Sequence, residues 1–349
     1  MAQVVVTHWV HPEVVSYLAG FCEPRVPSAA EGVWPGARVA ELAATAAGLI
    51  TCMADTVDDS FLARCPRLRV ISATLKGYDN FDAAACTRRG VWLTILPDLL
   101  TVPAAELAVA LILGLTRQLG PADRYVRSGQ FTGWRPQFYG TGLAGATVGI
   151  AGMGQVGQAV AARLRAFGTR IVYYDQRPLD SALAGELAAT RLDLAGLLTA
   201  SDVVLMLLPL VSDAGPLNTG PLDTGPLNTV RLIDAAALAR MRPGAFLVNV
   251  GRGSVVDEQA VLAALQAGRL GGYAADVFAM EDWALPGHPV QIPPGLLSHP
   301  RTLFTPHLGS AVDSVRRDMS LAAARQVEQA LRGQRPEHAV NDPVPGSLR

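Results

Sequence analysis

The sequence predicts an α/β protein made of two doubly wound domains, each a parallel sheet covered by helices. Its 349 residues exceed what one ordinary hydrophobic core accommodates, so two domains are expected. Short apolar runs alternate with helical stretches over residues 3–100, and a second series of the same kind starts at Thr147. This alternation is typical of parallel sheets, in which a helix connects each strand to the next.

In the first series, β-branched and apolar runs bounded by turn residues predict strands, and longer amphipathic stretches predict helices. The predicted strands are Val4–Thr7, Gly48–Cys52, Arg69–Thr74 and Val91–Leu93. The predicted helices are Pro12–Ala19, Ala37–Ala46, Asp58–Arg64 and Asp82–Arg89. A long apolar helix should then begin at Thr101, because Pro103 suits a first helical turn, and end near Leu119 at Gly120-Pro121. A loop rich in Gly, Pro and aromatic residues follows over residues 129–145.

The second series repeats the rhythm and closes with a long helix. Its predicted strands are Val148–Ala151, Ile171–Tyr174, Val203–Leu207, Phe246–Val250 and Gly272–Val277. Its predicted helices are Gln155–Phe167, Leu192–Thr199, Asp234–Met241 and Asp257–Ala267. The final helix should cover about residues 310–331 and carry a Pro-rich tail.

Residues Gly215–Thr229 break this pattern with three copies of a five-residue unit, GPLNT-GPLDT-GPLNT. Gly-Pro steps prevent a helix and disfavour an interior strand, so the repeat predicts a mobile surface loop. The repeat follows the predicted strand end at Leu208-Pro209, and a functional lid is the alternative interpretation.

Composition excludes several classes of protein. Half of the residues are apolar, which excludes a disordered or fibrous chain. The chain has 29 basic and 30 acidic residues, a balance that gives no reason to expect nucleic acid or a membrane surface as partner. No apolar run reaches the ~20 residues of a membrane span, and signal-peptide features are missing, so we expect a cytoplasmic protein. The four cysteines show no metal-ligand spacing; we expect reduced thiols in or near a core and no metal site.

A glycine-rich turn opens the second series. Gly152, Gly154 and Gly157 form G-x-G-x-x-G between a predicted strand and a predicted helix. This pattern gives a tight turn, lets the backbone approach a pyrophosphate and lets helix and strand pack closely. Asp175 ends the next strand, where a carboxylate binds both ribose hydroxyls and repels a 2′-phosphate. The sequence therefore predicts a Rossmann domain that binds NAD; Arg177 would partly offset the repulsion and keeps NADP open as an alternative.

Three ionisable residues follow predicted strands of the second series. Arg252 comes after the fourth strand, Glu281 after the fifth, and His307 lies in the string FTPHLGS. Because ligands bind at the carboxyl ends of parallel strands, we expect these side chains to project towards one place. A guanidinium binds an oxyanion, a histidine transfers a proton near neutral pH, and a carboxylate beside it fixes the imidazole tautomer.

These motifs resemble the D-2-hydroxyacid dehydrogenase family: the glycine-rich turn with Asp175, the string NVGRGSVVDE, and Arg252, Glu281 and His307 in that order. The resemblance spans nearly the whole chain. It implies a flavodoxin-like substrate-binding domain of residues 1–100 and 308–349, and an NAD-binding Rossmann domain of residues 101–307. It also implies hydride transfer in a hinged cleft, catalysis by the three ionisable residues and, usually, a homodimer.

A narrower resemblance, to the phosphite (phosphonate) dehydrogenases of that family, rests on the strings LKGYDNF, PDLLTVP, WRPQFYGTG and AADVFAMEDW. It implies NAD-dependent oxidation of phosphite, a small anion that suits several cations. The residues implied to bind the substrate are Lys76, Gly77, Met53, Arg316, Trp134, Tyr139 and Ser310. The residues implied to bind the cofactor are Gly152, Gly154, Gln155, Val156, Gly157, Asp175, Leu208, Pro209, Val250, Asp276, His307 and Gly309.

Two alternatives remain open at this point. A 2-hydroxyacid dehydrogenase that reduces 2-oxo acids such as glyoxylate or hydroxypyruvate shares the catalytic residues, and an NAD-sensing, non-catalytic corepressor shares the cofactor motif. The remaining histidines lack a supporting context, so we expect them to be exposed or hydrogen-bonded. They are His8, His11, His288, His299 and His338.

Overall fold

The structure is a computed structural model that describes residues 1–212, 215–216 and 228–343. The chain divides into two compact units. The first unit contains Met1–Leu100 and the described residues from Ser310 onward; the second contains the described residues between Thr101 and Gly309. Residues 217–227, the greater part of the predicted repeat loop, lie outside the described residues.

The first unit is built on a five-stranded parallel sheet in the order β2-β1-β3-β4-β5. Its strands are β1 (Ala2–Val6), β2 (Cys22–Arg25), β3 (Gly48–Thr51), β4 (Val70–Ala73) and β5 (Trp92–Thr94). Its connecting helices are α1 (Pro12–Ala19), α2 (Gly36–Ala43), α3 (Asp59–Ala63) and α4 (Ala83–Arg88). This is the predicted flavodoxin-like order, and the direction of winding reverses between β1 and β3.

The second unit contains a seven-stranded parallel sheet in the order β14-β13-β12-β9-β6-β7-β8, with a short antiparallel pair β10-β11 apart from it. Its helices are α5 (Thr101–Thr116), α6 (Leu119–Arg127), α7 (Gln155–Arg165), α8 (Ser181–Leu187), α9 (Leu194–Ala200), α10 (Ala235–Arg240), α11 (Glu258–Gln266) and α12 (Pro294–Ser298). Its strands are β6 (Thr147–Ala151), β7 (Arg170–Tyr174), β8 (Ala189–Arg191), β9 (Val203–Met206), β10 (Val211–Ser212), β11 (Gly215–Pro216), β12 (Phe246–Asn249), β13 (Gly272–Ala275) and β14 (Thr302–Phe304). The sheet winds outward in both directions from β6 and β9, as in Rossmann domains, so the predicted fold class is confirmed.

The last helix, α13 (Asp313–Leu331), returns to the first unit. Its small side chains Ala323 and Ala324 and its Val327 are fully buried in one cluster with residues of β1, β3 and β4. A Cβ added at Gly48 of β3 would lie 3.0 Å from Cγ1 of Val327, so helix and sheet approach closely. Burial of a side chain of this size contributes roughly 1.5–3 kcal/mol, which ties the C-terminal segment to the first unit.

The prediction that Gly120-Pro121 ends the long apolar helix is wrong. The helix ends at Thr116, where Gln118 follows with a left-handed φ of 55°, and α6 begins at Leu119 and contains the Gly-Pro step. Pro121 lies in the first turn of α6, where its missing N–H leaves no helical hydrogen bond unmade. Within the described residues no single helix is long and apolar enough to cross a membrane; α5 and α6 pass that test only as a pair bent by 66°.

In the two large parallel sheets, the sequence analysis missed three strands, and each lies at the edge of its sheet: β2, β8 and β14. An edge strand is short and partly exposed, so its sequence lacks a continuous apolar run and tolerates Pro24 in β2. The prediction that the cysteines lie in or near a core is confirmed, since all four are buried.

Candidate active site

The glycine-rich turn between β6 and α7 has the geometry that a dinucleotide requires. Gly152 has a φ of +104°, and a Cβ there would lie 2.9 Å from the carbonyl of Leu207. A Cβ at Gly157 would lie 2.3 Å from the carbonyl oxygen of Gly152, so helix and strand pack backbone to backbone. Gly154, by contrast, is exposed and has no described atom within 4 Å of its Cβ position, which leaves its backbone open to a pyrophosphate. The predicted neighbours Gln155 and Val156 open α7 at the same turn.

Asp175 lies directly after β7 and is held by backbone amides. Its Oδ2 accepts a hydrogen bond of 2.7 Å from the N–H of Met153, and its Oδ1 accepts one of 3.0 Å from the N–H of Arg177. These bonds fix the carboxylate beside the glycine-rich turn, where the sequence predicts the ribose contact. The residues present therefore fit NAD.

His307 and Glu281 form the predicted imidazole–carboxylate pair. Nδ1 of His307 lies 3.1 Å from Oε1 of Glu281, and both side chains are partly buried. The other oxygen of Glu281, Oε2, accepts a 2.9 Å hydrogen bond from the N–H of Phe278, at the start of its own turn. A carboxylate held in this way fixes the tautomer of the imidazole and leaves Nε2 for proton transfer.

Asp276, predicted as a cofactor contact, holds the backbone of the segment that carries His307. Its carboxylate accepts hydrogen bonds from the hydroxyl of Thr305 (2.6 Å) and from the N–H groups of Leu308 (2.6 Å) and Gly309 (2.9 Å). His307 itself has a left-handed φ of 57°, a conformation that few non-glycine residues adopt. Burial raises the pKa of Asp276. These three bonds favour the unusual backbone conformation at His307.

Arg252 follows β12 and lies next to the strand end of β9. Asn249, fully buried, donates to the carbonyl oxygen of Arg252 (2.9 Å) and accepts from the N–H of Gly251 (3.1 Å). A Cβ at Gly251 would lie 2.7 Å from the carbonyl oxygen of Leu208, so only glycine fits between the two strand ends. The predicted cofactor contacts Leu208, Pro209 and Val250 lie at these same ends, which places them at the carboxyl edge of the sheet.

In the first unit, the predicted substrate-binding residues lie after strands or in the C-terminal segment that contains the last helix. Lys76, followed by Gly77, comes after β4; Met53 follows β3; Ser310 and Arg316 lie at the start of the C-terminal segment. Lys76 is the only lysine in the chain. Burial lowers the pKa of Lys76, while the nearby Asp98 opposes that change.

Arg316 is a second, partly buried basic residue of this unit. Its Nη1 lies 3.3 Å from Oγ of Ser310, and burial lowers the pKa of the guanidinium. Lys76 and Arg316 are therefore two partly buried basic side chains of this unit, and burial disfavours the charged form of each.

His8 contradicts its prediction, because it is neither exposed nor hydrogen-bonded. It follows β1, is 5% exposed, and has no hydrogen-bond partner among the described residues at either ring nitrogen. Burial and the nearby Arg316 lower the pKa of His8 to about 3, so the imidazole is neutral. No local sequence signal indicates this, since burial of His8 depends on segments distant along the chain.

Beside His8, Thr7 and Cys52 form a buried polar group with Asp55. Oδ2 of Asp55 accepts hydrogen bonds from the Thr7 hydroxyl (2.5 Å) and the Cys52 N–H (2.8 Å). Burial raises the pKa of Asp55 and raises the pKa of the Cys52 thiol to about 11. This group fixes the loop that carries Met53, and the sequence analysis did not identify it.

Trp134 and Tyr139, predicted to line a substrate pocket, lie in the loop after α6 and are 79% and 76% exposed. Gln118 donates a 2.7 Å hydrogen bond to the carbonyl oxygen of Tyr139, which ties the loop to the end of α5. Their predicted role stays a prediction. Among the described residues, no group of three or more His, Cys, Asp or Glu side chains is arranged to hold a metal ion.

Comparison with known proteins identifies relatives over nearly the whole chain. Residues 109–218 and 225–309 match the family model described as D-isomer specific 2-hydroxyacid dehydrogenase, NAD binding domain. A glyoxylate reductase of Aeropyrum pernix is 34% identical over 352 residues, covering 98% of this chain and 96% of that protein. These matches confirm NAD as the cofactor predicted from the glycine-rich turn.

Solved structures match with similar coverage. A protein of Thermus thermophilus superposes with a TM-score of 0.82 at 32% identity, covering 97% of this chain and 99% of that one. The NADPH-dependent glyoxylate/hydroxypyruvate reductase of Sinorhizobium meliloti, solved in complex with NADP and malonate, gives a TM-score of 0.78 at 27% identity. That alignment covers 99% of this chain and 97% of the other.

Proposed function

This chain belongs to the D-isomer specific 2-hydroxyacid dehydrogenase family, and we propose that it reduces a small 2-oxo acid of the glyoxylate or hydroxypyruvate class with NADH. The observation that carries the proposal is the His307–Glu281 pair, which lies 3.1 Å apart in the unit that matches the NAD-binding domain. The related glyoxylate reductases supply the substrate class. The narrower resemblance to phosphite dehydrogenases has no counterpart among these relatives, so phosphite becomes the second candidate.

Each residue has a task in the proposed reaction. Bound NADH supplies the hydride that reduces the carbonyl carbon of the 2-oxo acid. Arg252 binds the carboxylate and the developing oxyanion of the substrate. His307 donates a proton to the oxygen that becomes the hydroxyl group, and Glu281 stabilises the imidazolium before that transfer. In the reverse direction His307 accepts the hydroxyl proton.

We propose that the first unit is the substrate-binding domain, with Lys76 and Arg316 as its anion-binding residues. Both cations are partly desolvated, and Arg316 contacts the hydroxyl of Ser310. A homodimer, which the family resemblance implies, is part of the same proposal and is tested by sedimentation of the purified chain.

The test is a panel of steady-state assays that follow NADH by its absorbance. Glyoxylate, hydroxypyruvate and pyruvate are each added with NADH, and the expected result is NADH consumption with at least one of them. Arg252→Lys should reduce turnover while NADH binding, measured by fluorescence, stays intact, and His307→Asn should reduce turnover at saturating NADH. Absence of turnover with every 2-oxo acid would overturn the proposal.

Phosphite oxidation is the second candidate, and the specific observation that favours it is the pair of partly buried cations in the first unit. Phosphite carries two charges near neutral pH, so it needs more cationic compensation than a monoanionic 2-oxo acid. In this reaction the P–H bond breaks and its hydride passes to the nicotinamide ring of NAD, while water forms a new P–O bond. His307 would take the proton that the water releases.

The same preparation separates the two candidates. Phosphite with NAD should form NADH and phosphate in equal amounts if the second candidate holds, and glyoxylate should then be a poor substrate. Formation of no NADH from phosphite, together with rapid NADH consumption by glyoxylate, would exclude phosphite as the substrate.

A further inference from the structure

Two buried carboxylates connect the turn after Arg252 with the turn that ends at Glu281. One turn is a short 3-10 helix at Gly253–Val255, and the other is a 3-10 helix at Ala279–Glu281. Glu258 is 6% exposed and comes six residues after Arg252 in the string NVGRGSVVDE. Asp282 is 2% exposed and directly follows Glu281. Neither carboxylate has a task in the proposed reaction.

The hydrogen bonds of the two carboxylates are reciprocal. Oε1 of Glu258, on the Arg252 side, accepts a 2.9 Å bond from the N–H of Ala279, the first residue of the Glu281 turn. Oδ2 of Asp282, on the Glu281 side, accepts a 2.6 Å bond from the N–H of Ser254 in the Arg252 turn. Each side of this contact therefore contributes a carboxylate that binds the backbone of the other: Glu258, the first residue of α11, and Asp282, which follows the Glu281 turn.

The two turns also pack backbone against backbone. A Cβ added at Gly253 would lie 1.9 Å from the carbonyl carbon of Phe278 and 2.1 Å from the nitrogen of Ala279. Phe278 is the residue whose N–H binds Oε2 of Glu281. A shift of one turn would therefore move Arg252 relative to Glu281. Because Glu281 contacts the imidazole of His307, the shift would also change the position of Arg252 relative to His307.

We propose that Glu258 and Asp282 are positioning residues that hold Arg252 in register with the Glu281–His307 pair. The inference rests on the catalytic roles proposed for Arg252, Glu281 and His307. It adds the contacts that fix the positions of these residues relative to one another. A buried carboxylate is unfavourable unless backbone donors compensate it, and burial raises the pKa of Glu258 to about 6. Two such groups at one contact stabilise a fold less well than apolar side chains of similar size, which favours a role in fixing geometry over a role in stability.

The experiment compares alanine with amide substitutions at both positions. Glu258→Ala and Asp282→Ala remove the acceptor, and each should lower kcat by about 10- to 100-fold, the range expected when reacting groups are displaced by about 1 Å. Glu258→Gln and Asp282→Asn keep an oxygen acceptor and should restore kcat to within about threefold of the parent, since the hydrogen bond and not the charge positions the turn. KM for NADH should stay unchanged in all four variants.

Asp257 provides the matched control. It lies beside Glu258 and caps α11 by accepting from the N–H groups of Gln259 and Ala260, which belong to neither turn. Asp257→Ala should lower the thermal stability of the protein and leave kcat unchanged. Equal losses of kcat in Asp257→Ala and Glu258→Ala would show a general structural effect and overturn the proposal.

Two further measurements test the connection itself. Amide hydrogen exchange should accelerate at Ala279 in Glu258→Ala and at Ser254 in Asp282→Ala; unchanged protection at both amides would overturn the proposal. In a Glu281→Gln background, Glu258→Ala should cause a smaller fold-loss of kcat than in the parent, because both act through one turn. An undiminished loss would contradict the proposal, whereas a parent protein without turnover on any acid or phosphite would instead refute the proposed function.

Discussion

In the second unit, three carboxylates at the carboxyl ends of strands accept hydrogen bonds from backbone amides, whereas the first unit carries two partly buried basic groups, Lys76 after β4 and Arg316 on α13. Asp175, Asp276 and Glu281 each accept at least one backbone N–H. In the first unit, burial lowers the pKa of Lys76 and of Arg316. The carboxylates of the second unit thus hold backbone segments in place, and the basic groups of the first unit suit the anionic substrate that we propose for it.

The largest expected effect concerns proton transfer in the second unit. His307→Asn should lower kcat by about 10³-fold, within the range of general acid–base catalysis, because asparagine cannot transfer a proton at neutral pH. Steady-state assays with the best substrate measure this loss. His299→Asn is the matched control in the same unit and should keep parental kcat. An Asn variant at position 307 with near-parental kcat would remove the assigned acid.

Lys76 tests the anion-binding role of the first unit. Lys76→Gln should raise KM for the acid by roughly 10- to 100-fold, as expected for loss of a charge-assisted hydrogen bond, and leave KM for NADH unchanged. Arg317→Gln, at a partly exposed arginine paired with Asp318 next to Arg316, is the control and should leave both constants unchanged. If Lys76→Gln changed KM for NADH and left KM for the acid unchanged, the assignment of anion binding to the first unit would be contradicted.

Glu258 tests how the second unit tolerates its buried carboxylates. Its folded-state pKa is about 6 against an ordinary 4.5, with burial as the main cause and with Asp282, Asp257 and Glu281 nearby. Well below pH 4.5 the Glu258 carboxyl is protonated in both the folded and the unfolded state, so it does not change the free energy of unfolding. As the pH rises from 4.5 to 6 the unfolded state ionises first, so the parent protein loses stability, and the full loss is present above pH 6. Glutamine does not titrate, so the free energy of unfolding of Glu258→Gln minus that of the parent should be larger at about pH 8 than at about pH 4, by about 2 kcal/mol. Denaturant unfolding at both pH values measures the difference, and a pH-independent difference would contradict it.

The smallest effect concerns the choice of cofactor. Asp175→Asn keeps one oxygen acceptor, for the N–H group of either Met153 or Arg177, and removes the charge that repels a 2′-phosphate. The preference for NADH over NADPH, taken as the ratio of kcat/KM values, should fall by about tenfold, equivalent to about 1.4 kcal/mol. An unchanged ratio would show that Asp175 does not determine the preference.

Features set by local spacing could be predicted from the sequence. The glycine-rich turn requires Gly152 and Gly157 for close backbone approach, and Asp175 follows at the end of the next strand, so the cofactor site needs few long-range contacts. Central strands have continuous apolar runs and were found, whereas the edge strand Cys22–Arg25 was not, because most of its residues are partly or fully exposed.

Features that depend on contacts between distant segments could not be predicted. His8 has an ordinary neighbourhood in the sequence, and only the packing of the first unit leaves it buried with no hydrogen-bond partner in the described part of the chain. Glu258 and Asp282 lie inside motifs that the sequence analysis identified, yet their reciprocal bonds join turns about 25 residues apart and follow from the parallel pairing of β12 with β13. The sequence motifs therefore identified the strings that contain Glu258 and Asp282, but their hydrogen-bond partners could be read only from the folded structure.

The most direct test of the central claim follows the hydride itself. The protein is incubated with glyoxylate and NADH that carries deuterium at the transferred position, and the product is analysed by mass spectrometry and NMR. Transfer by the proposed reaction places one deuterium at C2 of glycolate, and His307→Asn should suppress that incorporation. Consumption of NADH without deuterium in any 2-hydroxy acid product, or no consumption with any member of the 2-oxo acid panel, would contradict the account.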